Sequence, residues 1–149
     1  MRVAEWVVVA WSMAVLASDL TVRRIPNLYS MAAAVLALAY LAYTGESVLG
    51  ASWPSVLMGV VLALALTLPG YFAHWLAAGD VKLFVAIALL GGWEIALISF
   101  AIAGFLSAMV SLTALTVTRY SGNTMSVRRW VPFGAALAIG FLLAIWVRT

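Results

Sequence analysis

The residues from Val81 to Val117 read VKLFVAIALLGGWEIALISFAIAGFLSAMVSLTALTV, with Lys82 and Glu94 as their only charges. A helix needs about 20 apolar residues to cross a hydrocarbon core of about 30 Å. One helix through this whole stretch would overshoot the bilayer. The interruption at Gly91-Gly92-Trp93-Glu94 is the natural place to divide it, because paired glycines favour a turn. Two spans joined by a tight turn therefore replace one long helix, and the rest of the chain is threaded from them.

Upstream, apolar runs extend from Val3 to Leu20 and from Leu28 to Tyr43. A third begins at Trp53-Pro54, where proline suits a first helical turn, and continues towards Trp75. Pro69-Gly70 is expected to kink or end it. The last run covers Val131 to Val147. The expectation is an all-α, polytopic bundle of about six transmembrane helices, forming one transmembrane domain over residues 1–149.

Composition agrees. Hydrophobic residues make up 66% of the 149, charged residues 9%, and the mean hydropathy is +1.14. A soluble domain carries about a quarter of its residues as charges, so this is an integral membrane protein. The net charge of +3 brings no basic run interleaved with aromatics, so no nucleic-acid partner is expected. The absence of cysteine removes disulfides, thiolate nucleophiles and Cys-ligated zinc together. With His74 as the single histidine, a zinc hydrolase is disfavoured, and neither metal nor cofactor is expected. His74 itself reads as an interfacial packing residue. At the N-terminus, Glu5, Trp6 and Trp11 lie within or beside the apolar run, and Asp19 to Arg24 offers no small-residue cleavage site. That run is therefore read as a retained first span, not a signal peptide.

Orientation follows from the basic residues. The loops after the first, third and fifth spans, with their flanks, hold Arg23, Arg24, Lys82, Arg119, Arg128 and Arg129, against Arg2 and Arg148 on the other side. This bias places those loops in the cytoplasm and both termini outside. Trp53, Trp93 and Trp146 then fall at the outer interface, and Trp75 and Trp130 at the inner one.

Asp19 and Asp80 are the only aspartates, each at the edge of an apolar run, where a carboxylate is costly without a purpose. Asp19 ends the first span going inward and Asp80 begins the fourth going outward, so both reach the cytoplasmic face. Two carboxyls a few ångströms apart cannot easily both ionise; one keeps a proton while the other acts as base. Such a pair activates water without Ser, Cys, His or metal, which points to a membrane aspartic protease. Structural readings stand beside this one. Asp19 could pair with Arg23 at i,i+4, and Asp80 could be an acidic residue favoured by the dipole of a first helical turn.

Three segments carry a resemblance. They are Asp19-Leu20-Thr21-Val22-Arg23-Arg24-Ile25-Pro26-Asn27, Ala77-Ala78-Gly79-Asp80-Val81-Lys82-Leu83 and Val131-Pro132-Phe133-Gly134-Ala135-Ala136. Together, and in this order, they resemble the type IV prepilin peptidases, membrane aspartic proteases whose signature is Gly-x-Gly-Asp-x-Lys. The compact size and the Ile-Pro-Asn element look most like the short branch that processes Flp/Tad-type pilins. The resemblance implies that Asp19 and Asp80 are the catalytic pair. It also implies that Gly79 lets the backbone turn tightly beside the second acid, and that Lys82 contacts leader or lipid head groups. A snorkelling interfacial lysine is the alternative for Lys82. Ala77 stands where the signature has its first glycine.

Pro132-Phe133-Gly134 reads either as a wall of the substrate groove or as a proline-led helix start with a small residue for close packing. Larger members also N-methylate the new pilin terminus and carry a cysteine-bearing cytoplasmic segment. Here only Thr21 to Asn27 occupies that place, so cleavage without methylation is implied. The implied partners are membrane lipid and prepilin or pseudopilin substrates, each with a basic leader and a hydrophobic helix. The implied location is the inner membrane with a cytoplasmic site. Two other readings stay open: a catalytically inactive assembly partner of a pilus or secretion system, suggested by Ala77, and a proton-coupled transporter using the acids as relay groups.

Overall fold

Long apolar runs with few helix breakers build five helices: α1 (Val3–Val22), α2 (Asn27–Thr44), α3 (Trp53–Phe72), α4 (Ala78–Ser121) and α5 (Phe133–Arg148). They belong to a computed structural model that describes residues 3–22, 27–121 and 133–148. The described residues form no strand beyond an isolated bridge between Glu46 and Ser52.

α4 is not one rod. Gly92 sits inside it at φ 78° and ψ −172°, a region essentially closed to residues with a Cβ. The rings of Phe84 and Phe100 stack with centroids 5.2 Å apart. In a straight helix these residues would stand roughly 24 Å apart. The chain therefore doubles back at Gly92 into arms 78–91 and 93–121. The division expected at the glycine pair falls on its second member.

The reversal is locked in place by its neighbours. A Cβ on Gly92 would lie 2.5 Å from Ser55 Oγ and 2.8 Å from the Cβ of Ala51, and one on Gly59 of α3 would lie 2.9 Å from the Gly92 carbonyl carbon. The loop between α2 and α3 adds main-chain ties. Leu49 N–H donates to the Leu90 carbonyl at 3.1 Å, and Ala51 N–H donates to the buried Ser47 Oγ at 2.9 Å.

α4 is the centre of the bundle, packed on α3 and α5 and less extensively on α2, while α1 packs on α5. The core includes Leu83, Phe84, Ile87 and Ile95 of α4, Leu137 and Phe141 of α5, Leu41 of α2 and Val15 of α1. On α1 the buried residues Val8, Ser12, Val15 and Asp19 recur at helical spacing and form one face. α1 and α5 run antiparallel, since Trp11 meets Phe141 edge-on at 6.4 Å while Asp19 reaches Ala135 at the start of α5. Gly140 brings α5 against α4, where a Cβ would sit 3.1 Å from the Ser99 Cα.

α3 runs past Pro69, as expected, and ends at Phe72, two residues beyond Pro69-Gly70 and three short of Trp75. Pro69 lies in the last turn, so its missing N–H removes a single helical bond close to an end that was due anyway. Beyond it His74 adopts φ 59°, and the N–H groups of Trp75 and Leu76 both donate to the Gly70 carbonyl, at 2.8 and 3.1 Å.

Large apolar side chains cover the outside, among them Val35, Leu36, Phe105, Leu112 and Trp146, as a surface in contact with lipid requires. Three helical stretches are long and apolar enough to cross a membrane: Val3–Thr21, Trp53–Phe72 and Ala78–Val117, the last being the folded-back α4. Leu28–Thr44 and Phe133–Val147 are shorter apolar helices.

Gly92→Ala is expected to destabilise the bundle by about 1–3 kcal/mol or more from its backbone conformation alone. Gly104→Ala, where a Cβ meets nothing within 4 Å in ordinary helix, is expected to leave stability unchanged or raise it by about 0.5–1 kcal/mol. Thermal midpoints in one detergent check the pair. Gly140→Leu is expected to cost about 1–3 kcal/mol by overpacking against the Ser99 backbone, read in the same assay.

Candidate active site

Asp80 is the third residue of α4, and its carboxylate reaches back to the residue that opens the helix. Asp80 Oδ2 accepts the N–H of Ala77 at 3.2 Å, while the Ala77 carbonyl accepts the N–H of Asp80 at 3.1 Å. This is the reach-back half of a capping box, with Asp in place of the usual Glu. Asp80 is 9% exposed.

Asp19 lies near the end of α1 and is 6% exposed. Its Oδ2 accepts the N–H of Ala135 at 2.6 Å. Ala135 is in the first turn of α5, where N–H groups have no partner inside the helix and the dipole favours a negative charge. Arg23, the alternative partner, lies outside the described residues; the carboxylate is held by α5.

The two acids thus come from α1 and α4, are both buried, and stand close enough for their charges to act on one another. Each engages one main-chain N–H at a helix start. A buried carboxylate without such a donor would be very costly, so the two helix starts make the arrangement tenable.

Beneath the acids lies an aromatic layer. Phe84, one turn along α4 from Asp80, stacks on Phe100, and Phe100 meets Phe133 edge-on at 6.1 Å. Phe133 therefore packs into this layer as a half-buried residue of the core. Gly134 beside it is buried. Pro132 lies outside the described residues.

Lys82 is exposed two residues beyond Asp80. Gly79 lies within the first turn of α4 in helical conformation, so it supplies the absence of a side chain and not the tight turn expected of it. Among the described residues, His74 is the one non-glycine with positive φ. Ala77 is therefore in ordinary backbone, and alanine replaces the motif glycine there without strain. Among the described residues no three His, Cys, Asp or Glu side chains cluster as a metal site would need.

Sequence reasoning did not find three participants. Phe84 was visible as the i+4 neighbour of Asp80, the same-face position on a helix. Phe100 needed the fold-back at Gly92 to reach it. The Ala135 amide carried no signal at all, being a main-chain donor of a residue with a methyl side chain.

A family model described as the type IV leader peptidase family matches residues 6–112. No curated protein and no solved structure matches the chain. The matched range takes in both buried aspartates and stops short of α5. Since it covers most of the chain, the protein belongs to the type IV leader peptidase family, a family of proteases that act on prepilin leaders.

Proposed function

We propose that the protein is a membrane aspartic endopeptidase that removes the short leader from Flp/Tad-like prepilins, with Asp19 and Asp80 as its catalytic pair. The observation that carries this reading is the burial of the chain's only aspartates on two different helices, each with one oxygen engaged by a helix-start N–H. We assign the other two oxygens to a water and the scissile carbonyl.

In the reaction the ionised carboxylate takes a proton from water as the oxygen attacks the peptide carbonyl. The protonated partner donates to the carbonyl oxygen, giving a neutral tetrahedral intermediate. Its collapse breaks the C–N bond: the carboxyl that now holds the proton gives it to the departing amine while its partner takes one from a hydroxyl of the intermediate, so the pair ends with one proton, as it began. The nearby starts of α4 and α5 favour the single negative charge that the pair holds throughout. The Phe84, Phe100 and Phe133 layer closes the site on one side with hydrocarbon, which strengthens those electrostatic interactions.

The basic loops support an inner-membrane, multi-pass arrangement with both termini outside and the acids at the cytoplasmic face. A basic leader in the cytoplasm followed by a hydrophobic helix in the bilayer suits that placement. Phe133 and Gly134 shape the site from the α5 side, and exposed Lys82 suits contact with anionic lipid head groups. With only residues 23–26 between α1 and α2, we assign cleavage without methylation. The unstrained backbone at Ala77 takes away the sequence reason for an inactive site.

Asp19→Asn and Asp80→Asn are each expected to lower leader removal from a co-expressed prepilin by at least about 100-fold, with the protein still accumulating in the membrane. A mobility-shift assay reads the loss, and wild-type cleavage by either variant ends this reading. Reporter fusions within residues 23–26 and 74–77 are expected to report the cytoplasm, and a fusion within residues 45–51 the opposite side.

A further inference from the structure

The two carboxylates are held in different ways. Asp80 is tied to the start of its own helix, so its position follows from α4 alone. Asp19 is tied to Ala135, a residue 116 positions away on α5, by the shorter bond of 2.6 Å. α5 is in turn set by close packing: its Gly140 lies against the Ser99 backbone of α4, and its Phe133 meets Phe100. The same arm of α4 stacks Phe100 on Phe84, one turn from Asp80. A continuous set of contacts therefore runs from Asp80 through the aromatic layer to the first turn of α5 and ends on Asp19.

We propose that the first turn of α5, through the main-chain N–H of Ala135, is the positioning element that fixes the Asp19 carboxylate against Asp80 for catalysis. The inference rests on Asp19 being catalytic. α5 lies beyond the residues matched by the family model, so this role comes from the packing of this chain. Ala135 touches no reacting atom. It restricts the carboxylate by engaging Oδ2 from the first turn of α5, and Oδ1 is then assigned to water. A bond between an N–H and a charged group is strong enough that its loss from the aligned state corresponds to about a 10- to 100-fold fall in rate.

Two variants remove this donor. Ala135→Pro lacks the N–H at a first-turn position, and replacement of Ala135 by lactic acid during in vitro translation exchanges the N–H for an oxygen with little change of shape. The ester variant serves as the measure if the proline variant does not accumulate. For either, kcat for leader cleavage is expected to fall about 10- to 100-fold with KM unchanged. The thermal midpoint is measured for the variant alone, for Asp19→Ala alone and for the two together. The two losses are expected to be non-additive, because both remove one bond.

Wild-type kcat in the ester variant overturns the proposal. So does a rise in KM at constant kcat, which would make α5 a substrate-binding element, and so do additive thermal losses. Retained cleavage by Asp19→Asn would instead sink the protease reading, and the thermal cycle would still report whether Ala135 holds Asp19.

Discussion

A carboxylate enclosed by hydrocarbon must find a hydrogen-bond donor, and this requirement shapes the acid-bearing end of the bundle. Among the described residues, Asp19 and Asp80 engage main-chain N–H groups at the starts of α5 and α4. Helix starts suit this task because their first N–H groups have no acceptor within the helix. They also carry partial positive charge without the mobility of a lysine or arginine side chain. A donor held by a helix axis is preorganised, and preorganised donors are what a developing charge in a reaction needs.

That solution depends on the reversal at Gly92. Without it, Asp80 and the second arm of α4 would be carried apart, and Phe100 could not lie over Phe84. The turn is possible because Gly92 has no Cβ to clash with Ser55 and Ala51, and because Gly59 lets α3 approach its backbone. About two turns along the second arm, Gly140 lets α5 approach Ser99. Lipid-facing bundles gain little from the hydrophobic effect between helices, so such close backbone contacts carry much of the association. The small residues at these crossings thus fix where the acids stand.

Much of this was readable from the chain. The apolar runs gave each helix to within a few residues, because a membrane helix is set by the length of its apolar stretch and little else. The division of the longest run at Gly91-Gly92 was legible because no single span could hold it. Asp19 and Asp80 stood out because acids are rare in such company. What the chain did not disclose are the features that depend on which backbone meets which. The end of α3 at Phe72, short of Trp75, turned on the Gly70 carbonyl taking the N–H groups of Trp75 and Leu76. The conformation of Gly79 was ordinary helix, where motif reasoning asked for a tight turn. Phe133 packed inward on Phe100 because the second arm of α4 passes beside it. The Ala135 amide is invisible to any reading of side chains.

The departure at Ala77 shows how a motif and a structure carry different information. Read as a pattern, a lost glycine suggests lost function, since glycine often marks a backbone conformation that other residues cannot take. Here Ala77 lies in ordinary backbone and contributes its N–H and carbonyl to Asp80, and both groups are present in alanine as in glycine. A methyl group at this exposed position meets no constraint from the capping bonds. The element that must be kept is the start of α4 at the right distance from Asp80, which is a matter of spacing. Ala77 keeps that spacing, so the substitution is neutral to the geometry that holds the second acid.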